Sequence, residues 1–216
     1  MKNFLFIITI LAITVAAQAN LITYSDSIIG LFDLMPDRDL VISQFNPALG
    51  TLNSVTITFH TALQGSLGFE NLKRFGGNFT VVTNNIMAYV VIGGGICSSG
   101  YTDNQTYNVT LGAYDGSTDY AGTSGIEVAA LSDDDTVPFF LNAPDSMAQF
   151  IGTGNMTFTT QTFSMMPLGL PTNSEAAVNT TGQASVTIEY DYTPVPEPMT
   201  IAILSFAGLL LRKKIA

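Results

Sequence analysis

The sequence predicts an all-β fold, namely a single antiparallel β-sandwich or jelly-roll-like domain. Apolar and polar residues alternate with a period of two in the clearest segments, 52–63 and 185–192, and this period is typical of half-buried strands. Turn residues separate the segments every ~8 to 12 residues, as in sandwiches. The chain has no tryptophan, which argues against an immunoglobulin core built on a central Trp.

The first half of the chain contains five predicted strands. They cover 21–29, 40–45, 52–63, 79–83 and 86–92. We expect the last two to form a hairpin about Asn84 and Asn85, because Asn tolerates the left-handed conformations of a tight turn. A glycine-rich loop is predicted to follow at 93–100.

The second half of the chain also has the sequence pattern of strands joined by turns. Residues 107–114 alternate, and the short strand 137–141 suits a sheet edge because Pro138 cannot donate to a ladder. A strand at 156–163 loses its phase at Thr159 and Thr160, which predicts a bulge. Residues 164–183 have the composition of a loop. The last strand, 185–192, has Val186, Ile188, Tyr190 and Tyr192 on one face.

The N-terminus has the pattern of a signal peptide. Lys2 precedes an apolar stretch at 4–17, and Ala17 and Ala19 frame an A-x-A cleavage site. We therefore assign residues 1–19 to the signal peptide and expect export. The β-sandwich ectodomain is then 20–193.

The C-terminus, 194–216, has three parts in a fixed order. A proline-rich hinge contains Pro196, Glu197 and Pro198, an apolar run extends over 199–211, and Arg212, Lys213 and Lys214 follow. As a helix, ~13 residues span ~20 Å, which is short of the ~30 Å hydrocarbon core of a bilayer. Basic residues stay on the cytoplasmic side, so the rest of the chain is predicted to lie outside.

These C-terminal residues resemble the PEP-CTERM sorting signal. The resemblance implies export in a Gram-negative, exopolysaccharide-producing bacterium and transient retention by the inner membrane. It also implies processing near the motif by an exosortase-type transpeptidase, and delivery to the cell surface, outer envelope or extracellular matrix.

A second resemblance covers most of residues 21–193. The blocks at 44–57, 118–125 and 150–154 are similar to those of the choice-of-anchor E domain, a family of bacterial surface ectodomains. These blocks are turns and strands, so the resemblance implies a fold and a location without a molecular activity.

Charge restricts the partners. Between Asp26 and Glu197 the sequence has all seventeen acidic residues but only three basic ones, Arg38, Lys73 and Arg74, which gives a net charge of −14. Such a stretch repels nucleic-acid phosphates. Solubility, cations and neutral glycans are favoured instead.

Few residues of the sequence are suited to nucleophilic catalysis or zinc binding. His60 is the only histidine and its phase places it on a polar strand face, while Cys97 is the only cysteine and is expected to be a small buried residue. We therefore predict no Ser-His-Asp or Cys-His catalytic group, no zinc site and no enzyme. Asp133, Asp134 and Asp135 are a candidate calcium cluster in an acidic loop, and 115–119 is a shorter one.

Three functions remain open. The first is a non-enzymatic structural protein of the cell surface or matrix, associated with exopolysaccharide or biofilm. The second is a carbohydrate-binding module, which would need an exposed row of aromatic rings from Tyr89, Tyr101, Tyr107, Tyr114 and Tyr120. The third is a hydrolase with two carboxylates facing each other across a cleft.

Overall fold

The computed structural model describes residues 19–31, 37–83, 86–165 and 168–195, and over these ranges it confirms the all-β class. Eleven strands are present there, together with the one-turn helix α1, Pro144–Met147, and two 3-10 turns, Pro47–Leu49 and Ala148–Phe150. The strands are β1 Asn20–Leu31, β2 Arg38–Ser43, β3 Gly50–Asn71, β4 Gly77–Thr83, β5 Ile86–Ile92, β6 Cys97–Asp103, β7 Thr106–Leu111, β8 Gly125–Leu141, β9 Asn155–Met165, β10 Leu168–Gly169 and β11 Ser174–Pro194.

The first sheet has the antiparallel order β1-β11-β3-β8 and contains the longest strands, β3 with 22 residues and β11 with 21. The alternation of apolar and polar residues explains why β3 forms a strand, since Val55, Ile57 and Phe59 are buried on one of its faces. The prediction of a loop at 164–183 is wrong over most of its length, because β9 continues to Met165, β10 is Leu168–Gly169 and β11 begins at Ser174. The first seven residues of β11, 174–180, pair in continuous register with 65–71 of β3, so the neighbouring strand determines their conformation.

The second and third sheets contain the remaining strands, in the orders β2-β9-β5-β6 and β10-β4-β7. The predicted hairpin between β4 and β5 is therefore wrong. β4 pairs with β7 and β10, whereas β5 pairs with β6 and β9, and the register shifts by one residue between the two sets of pairs. Asn84 and Asn85, the predicted turn residues, lie outside the described residues.

The main core lies between the first sheet and the β2-β9-β5-β6 sheet, so the arrangement is sandwich-like. Aromatic rings fill its centre: Phe59 packs edge-to-face on Phe158 at 5.2 Å, and Tyr190 packs on Phe45 at 5.8 Å. A smaller cluster of Phe69, Phe79, Val81 and Leu111 joins the β10-β4-β7 sheet to the far end of β3. The buried aliphatic side chains of the main core include Leu40, Ile42, Val55, Leu63, Leu67, Val90, Ile92, Val186 and Ile188.

Two local predictions need correction. β9 pairs in unbroken register with β2 and β5, so no bulge occurs at Thr159 and Thr160. The apparent loss of phase comes from a polar residue that faces inward: Thr160 is buried and its hydroxyl donates to the Arg38 carbonyl oxygen at 2.8 Å. The glycine-rich loop is also shorter than expected, since Gly93, Gly94 and Gly95 form a left-handed turn and β6 begins at Cys97.

Aspartates of the first sheet satisfy backbone groups at both sheet edges. On β1, Asp26 Oδ2 accepts a hydrogen bond from the Val41 amide of β2 at 2.7 Å. On β8, Asp133 Oδ2 accepts one from the Gly100 amide of β6 at 2.8 Å. We call Asp26 and Asp133 the edge carboxylates. They occupy amides that an edge strand would otherwise offer to another chain.

Candidate functional site

The last strand of the domain leads directly to the predicted sorting signal. β11 continues to Pro194, which pairs with Gly50, and the Val195 amide donates to the Leu49 carbonyl oxygen at 3.0 Å. A side chain on Gly50 would overlap the Thr193 carbonyl, and its φ is +156°, so this close approach requires glycine. The last strand thus reaches the residue next to the proline-rich hinge.

The predicted signals themselves lie almost wholly outside the described residues. This holds for Ala17 of the cleavage site, for Pro196, Glu197 and Pro198 of the motif, and for Arg212, Lys213 and Lys214 of the tail; Ala19 is described and is exposed directly before β1. Within the described ranges, no helix has both the length and the apolar character needed to cross a membrane.

The candidate calcium cluster does not lie in a loop. Asp133, Asp134 and Asp135 are consecutive residues of β8, so their side chains alternate between the two faces. Asp133 accepts from the Gly100 amide, while Asp134 contacts His60 Nε2 at 3.4 Å on the surface. No three His, Cys, Asp or Glu side chains converge as a metal site in the described part of the chain.

The shorter acidic pattern, 115–119, is taken up by hydrogen bonds of its own loop. Asp115 Oδ1 accepts from the Ser117 amide at 3.1 Å, and Asp119 Oδ1 accepts from the Ala121 amide at 3.0 Å. These contacts are turns closed by aspartate side chains, which are common in ordered loops.

Cys97 belongs to a buried polar group. The Ser99 hydroxyl donates to the Thr61 carbonyl oxygen at 2.8 Å, and the Cys97 thiol donates to the Asp135 carbonyl oxygen at 3.7 Å. Burial raises the pKa of the Cys97 thiol, and the Asp135 carboxylate raises it further. The thiol is therefore protonated at neutral pH and weakly nucleophilic, as the interpretation of Cys97 as a small core residue expects.

The five tyrosines do not form an exposed row. Tyr101 is buried and its hydroxyl hydrogen-bonds the Thr180 hydroxyl at 2.8 Å, while Tyr107 and Tyr120 are half-buried. Tyr89 and Tyr114 are more exposed, but they belong to β5 and to the loop after β7. Sequence reasoning missed Phe163 of β9, which is 54% exposed and lies directly opposite Tyr89.

A buried carboxylate at the far end of β3 was also missed. Glu70 is fully buried, and its Oε2 accepts from the Tyr120 amide at 2.8 Å. Its Oε1 has no hydrogen-bond partner among the described residues. Glu175 of β11 lies directly opposite, and the Tyr120 hydroxyl donates to Glu175 Oε1 at 3.4 Å. Tyr120, with φ of +58°, thus connects two facing glutamates.

This glutamate pair positions the loop between β7 and β8. Burial raises the pKa of the Tyr120 hydroxyl, and the Glu175 carboxylate raises it further, so Tyr120 stays a neutral donor. Asn71 holds the same loop, because its side-chain amide donates to the Gly112 carbonyl oxygen at 2.6 Å. Since Glu70 is inaccessible, the pair has no open cleft in which two carboxylates could flank a substrate.

Comparison with known proteins assigns no family. No protein-family model matches the chain, and no curated protein does. Among solved structures, the chain is similar at 10% identity to infectious bursal disease virus Gx strain, covering 83% of this chain and 37% of that one with a TM-score of 0.21. It is also similar, at 8% identity, to the tripod of the bacteriophage Tuc2009 baseplate, where the match covers 78% of this chain and 62% of that one with a TM-score of 0.21. A third similarity, at 12% identity, is to the binding domain of botulinum neurotoxin serotype D/C, where the match covers 86% of this chain and 47% of that one with a TM-score of 0.19.

These TM-scores are too low to support an inference of shared fold or function. The chain also spans well under two thirds of the infectious bursal disease virus chain. The two family resemblances noted in the sequence therefore remain predictions.

Proposed function

We propose that this chain is an exported, non-enzymatic structural protein of the bacterial cell surface or extracellular matrix, sorted by a PEP-CTERM signal. One observation carries the proposal: the order of motif, short apolar run and basic tail at 196–198, 199–211 and 212–214. The apolar run is too short for stable anchoring as a straight transmembrane helix, which suits temporary retention before processing.

The domain has properties that support this role. β11 ends at Pro194, so cleavage near Glu197 by an exosortase-type enzyme would release the described fold with every strand of the first sheet. The edge carboxylates Asp26 and Asp133 limit edge-to-edge association at high local concentration. The net charge of −13 over 20–193 would favour a soluble domain beside neutral exopolysaccharide.

The experiment is to express the chain in an exopolysaccharide-producing host and in the same host lacking its exosortase. Mass spectrometry of the mature C-terminus should show loss of the residues after the motif only in the first host. A Glu197→Ala chain, with the same apolar run and basic tail, should stay in the inner membrane with its tail intact. An intact tail on cytoplasmic protein in the exosortase-containing host would refute the proposal.

A carbohydrate-binding role is the second candidate, and it is favoured by Tyr89 and Phe163. These two rings belong to neighbouring strands and are 36% and 54% exposed on the outer face of the β2-β9-β5-β6 sheet. Exposed aromatic faces can stack on sugar rings, although Tyr89 also covers Gly100, which by itself explains an aromatic residue there. A glycan array should lose its signal in Tyr89→Ala and Phe163→Ala but keep it in Tyr114→Ala.

A further inference from the structure

The two ends of the domain lie at one end of the first sheet. Asn20, which begins β1, is opposite Tyr192 of β11, and Pro194 is opposite Gly50 of β3. The chain then leaves from Val195, whose amide is bonded to Leu49. The sheet therefore has an exit end, and the loop after β3, with Phe75, lies at the opposite end.

The connection from the exit end to the apolar run is short. Only 196–198 separate Val195 from Met199, so the two Cα atoms are at most ~14 Å apart. Headgroups add ~5 to 8 Å on each side of the hydrocarbon core. With Met199 at the hydrocarbon boundary, Val195 then lies within ~10 Å of the outer surface of the headgroups. The exit end must therefore be next to the bilayer.

Exposed apolar side chains surround this exit. We define the exit rim as Leu21, Leu49, Ile151 and Val195, which are between 40% and 63% exposed. Ile151 forms a bridge with Phe45, whose ring packs on Tyr192 at 5.2 Å, two residues before Pro194. Leu21 is opposite Asp191 in the adjacent strand. The rim thus occupies the part of the surface that the short connection brings to the membrane.

We propose that the exit rim docks on the surface of a lipid bilayer while the C-terminal run is inserted. This rests on the proposed sorting function and adds an orientation to it. The contact is apolar, with side chains entering the headgroup layer of zwitterionic lipid, because a domain with a net charge of −13 over 20–193 is repelled by anionic headgroups. The 22 residues of β3 then carry Phe75 up to ~70 Å from the membrane.

The chain offers a direct test because it has no tryptophan. Single variants Leu49→Trp and Val195→Trp place the probe in the exit rim, and Phe75→Trp is the matched control at the opposite end, where Phe75 is 70% exposed. Each chain without its predicted signal peptide but with its C-terminal run, 20–216, is reconstituted with phosphatidylcholine vesicles containing brominated phosphatidylcholine. We expect a shift of emission to shorter wavelength and quenching at 49 and 195, and neither at 75.

The outcomes separate the two proposals. If the chain does not float with the vesicles, the C-terminal run is not a membrane segment, and both proposals fail. If it floats but all three probes respond alike, docking fails and insertion stands. A second control inserts ten Gly and Ser residues after Val195, which gives a flexible linker of ~18 Å. That chain should float with weaker quenching at 49, and unchanged quenching would overturn the argument from the short connection.

Discussion

Ionisation of Tyr190 should destabilise the domain at alkaline pH. Tyr190 is fully buried in β11, and its hydroxyl donates to the Ser43 carbonyl oxygen at 3.0 Å. Burial raises its pKa to about 12, from the ordinary value of 10. Between these values the unfolded chain loses the proton while the folded chain keeps it, so the free energy of unfolding falls as pH rises.

The magnitude follows from the shift. Two pKa units at ~1.4 kcal/mol each amount to at most ~2.7 kcal/mol, fully present below pH ~10 and lost by pH ~12. The Tyr190→Phe variant should lack this contribution to the slope. It should also be ~1 kcal/mol less stable at neutral pH, because the Ser43 carbonyl loses its donor.

The assay is urea unfolding followed by circular dichroism at several pH values from 7 to 12, with phenolate absorbance recorded in parallel. Tyr89→Phe is the matched control, since its ring is exposed on an outer face and its variant should keep the wild-type slope. An identical decline of stability above pH 10 in wild type and Tyr190→Phe would refute the reasoning.

Three further predictions concern stability. Phe59→Ala should lower the free energy of unfolding by ~3 to 5 kcal/mol in urea unfolding, because the ring is buried against Phe158; a loss below 1 kcal/mol would contradict this. Asp26→Ala should lower it by ~1 to 3 kcal/mol and increase aggregation measured by light scattering, since the Val41 amide loses its acceptor, whereas Asp145→Ala should do neither. Glu175→Gln should raise it by up to ~1 kcal/mol, because it removes a carboxylate opposite the acidic side chain of Glu70 while its amide oxygen can still accept from Tyr120; a decrease would contradict this.

The sequence predicted the buried and exposed faces of single strands better than it predicted which strands pair. Alternation identified the faces of β3 and of the second half of β11, because one face of each packs on the core. Proline at 138 correctly placed β8 at an edge, although the strand is longer than predicted and includes Asp133. Charged residues are common on edge strands, where they hinder pairing with other chains.

The features that were predicted wrongly or missed depend on contacts between residues that are distant in the sequence. Asn84 and Asn85 have the chemistry of a hairpin turn, but whether β4 and β5 pair is decided by β7, β6 and β9. The buried position of Glu70 depends on Tyr120, fifty residues later, whose loop covers a strand face that would otherwise be exposed. The pairing of Tyr89 with Phe163 likewise comes from strand order, which residue spacing does not determine.

The central place of β11 in the first sheet has a consequence for the order of folding. β11 lies between β1 and β3, yet it is the last of the described strands to be synthesised. Until it is made, β1 and β3 lack their shared neighbour, and the pairing of Asn20 with Tyr192 joins the first described strand to the last. Such distant contacts form slowly. Folding of the first sheet is therefore completed only when β11, the last of the described strands in the sequence, is available to pair with both.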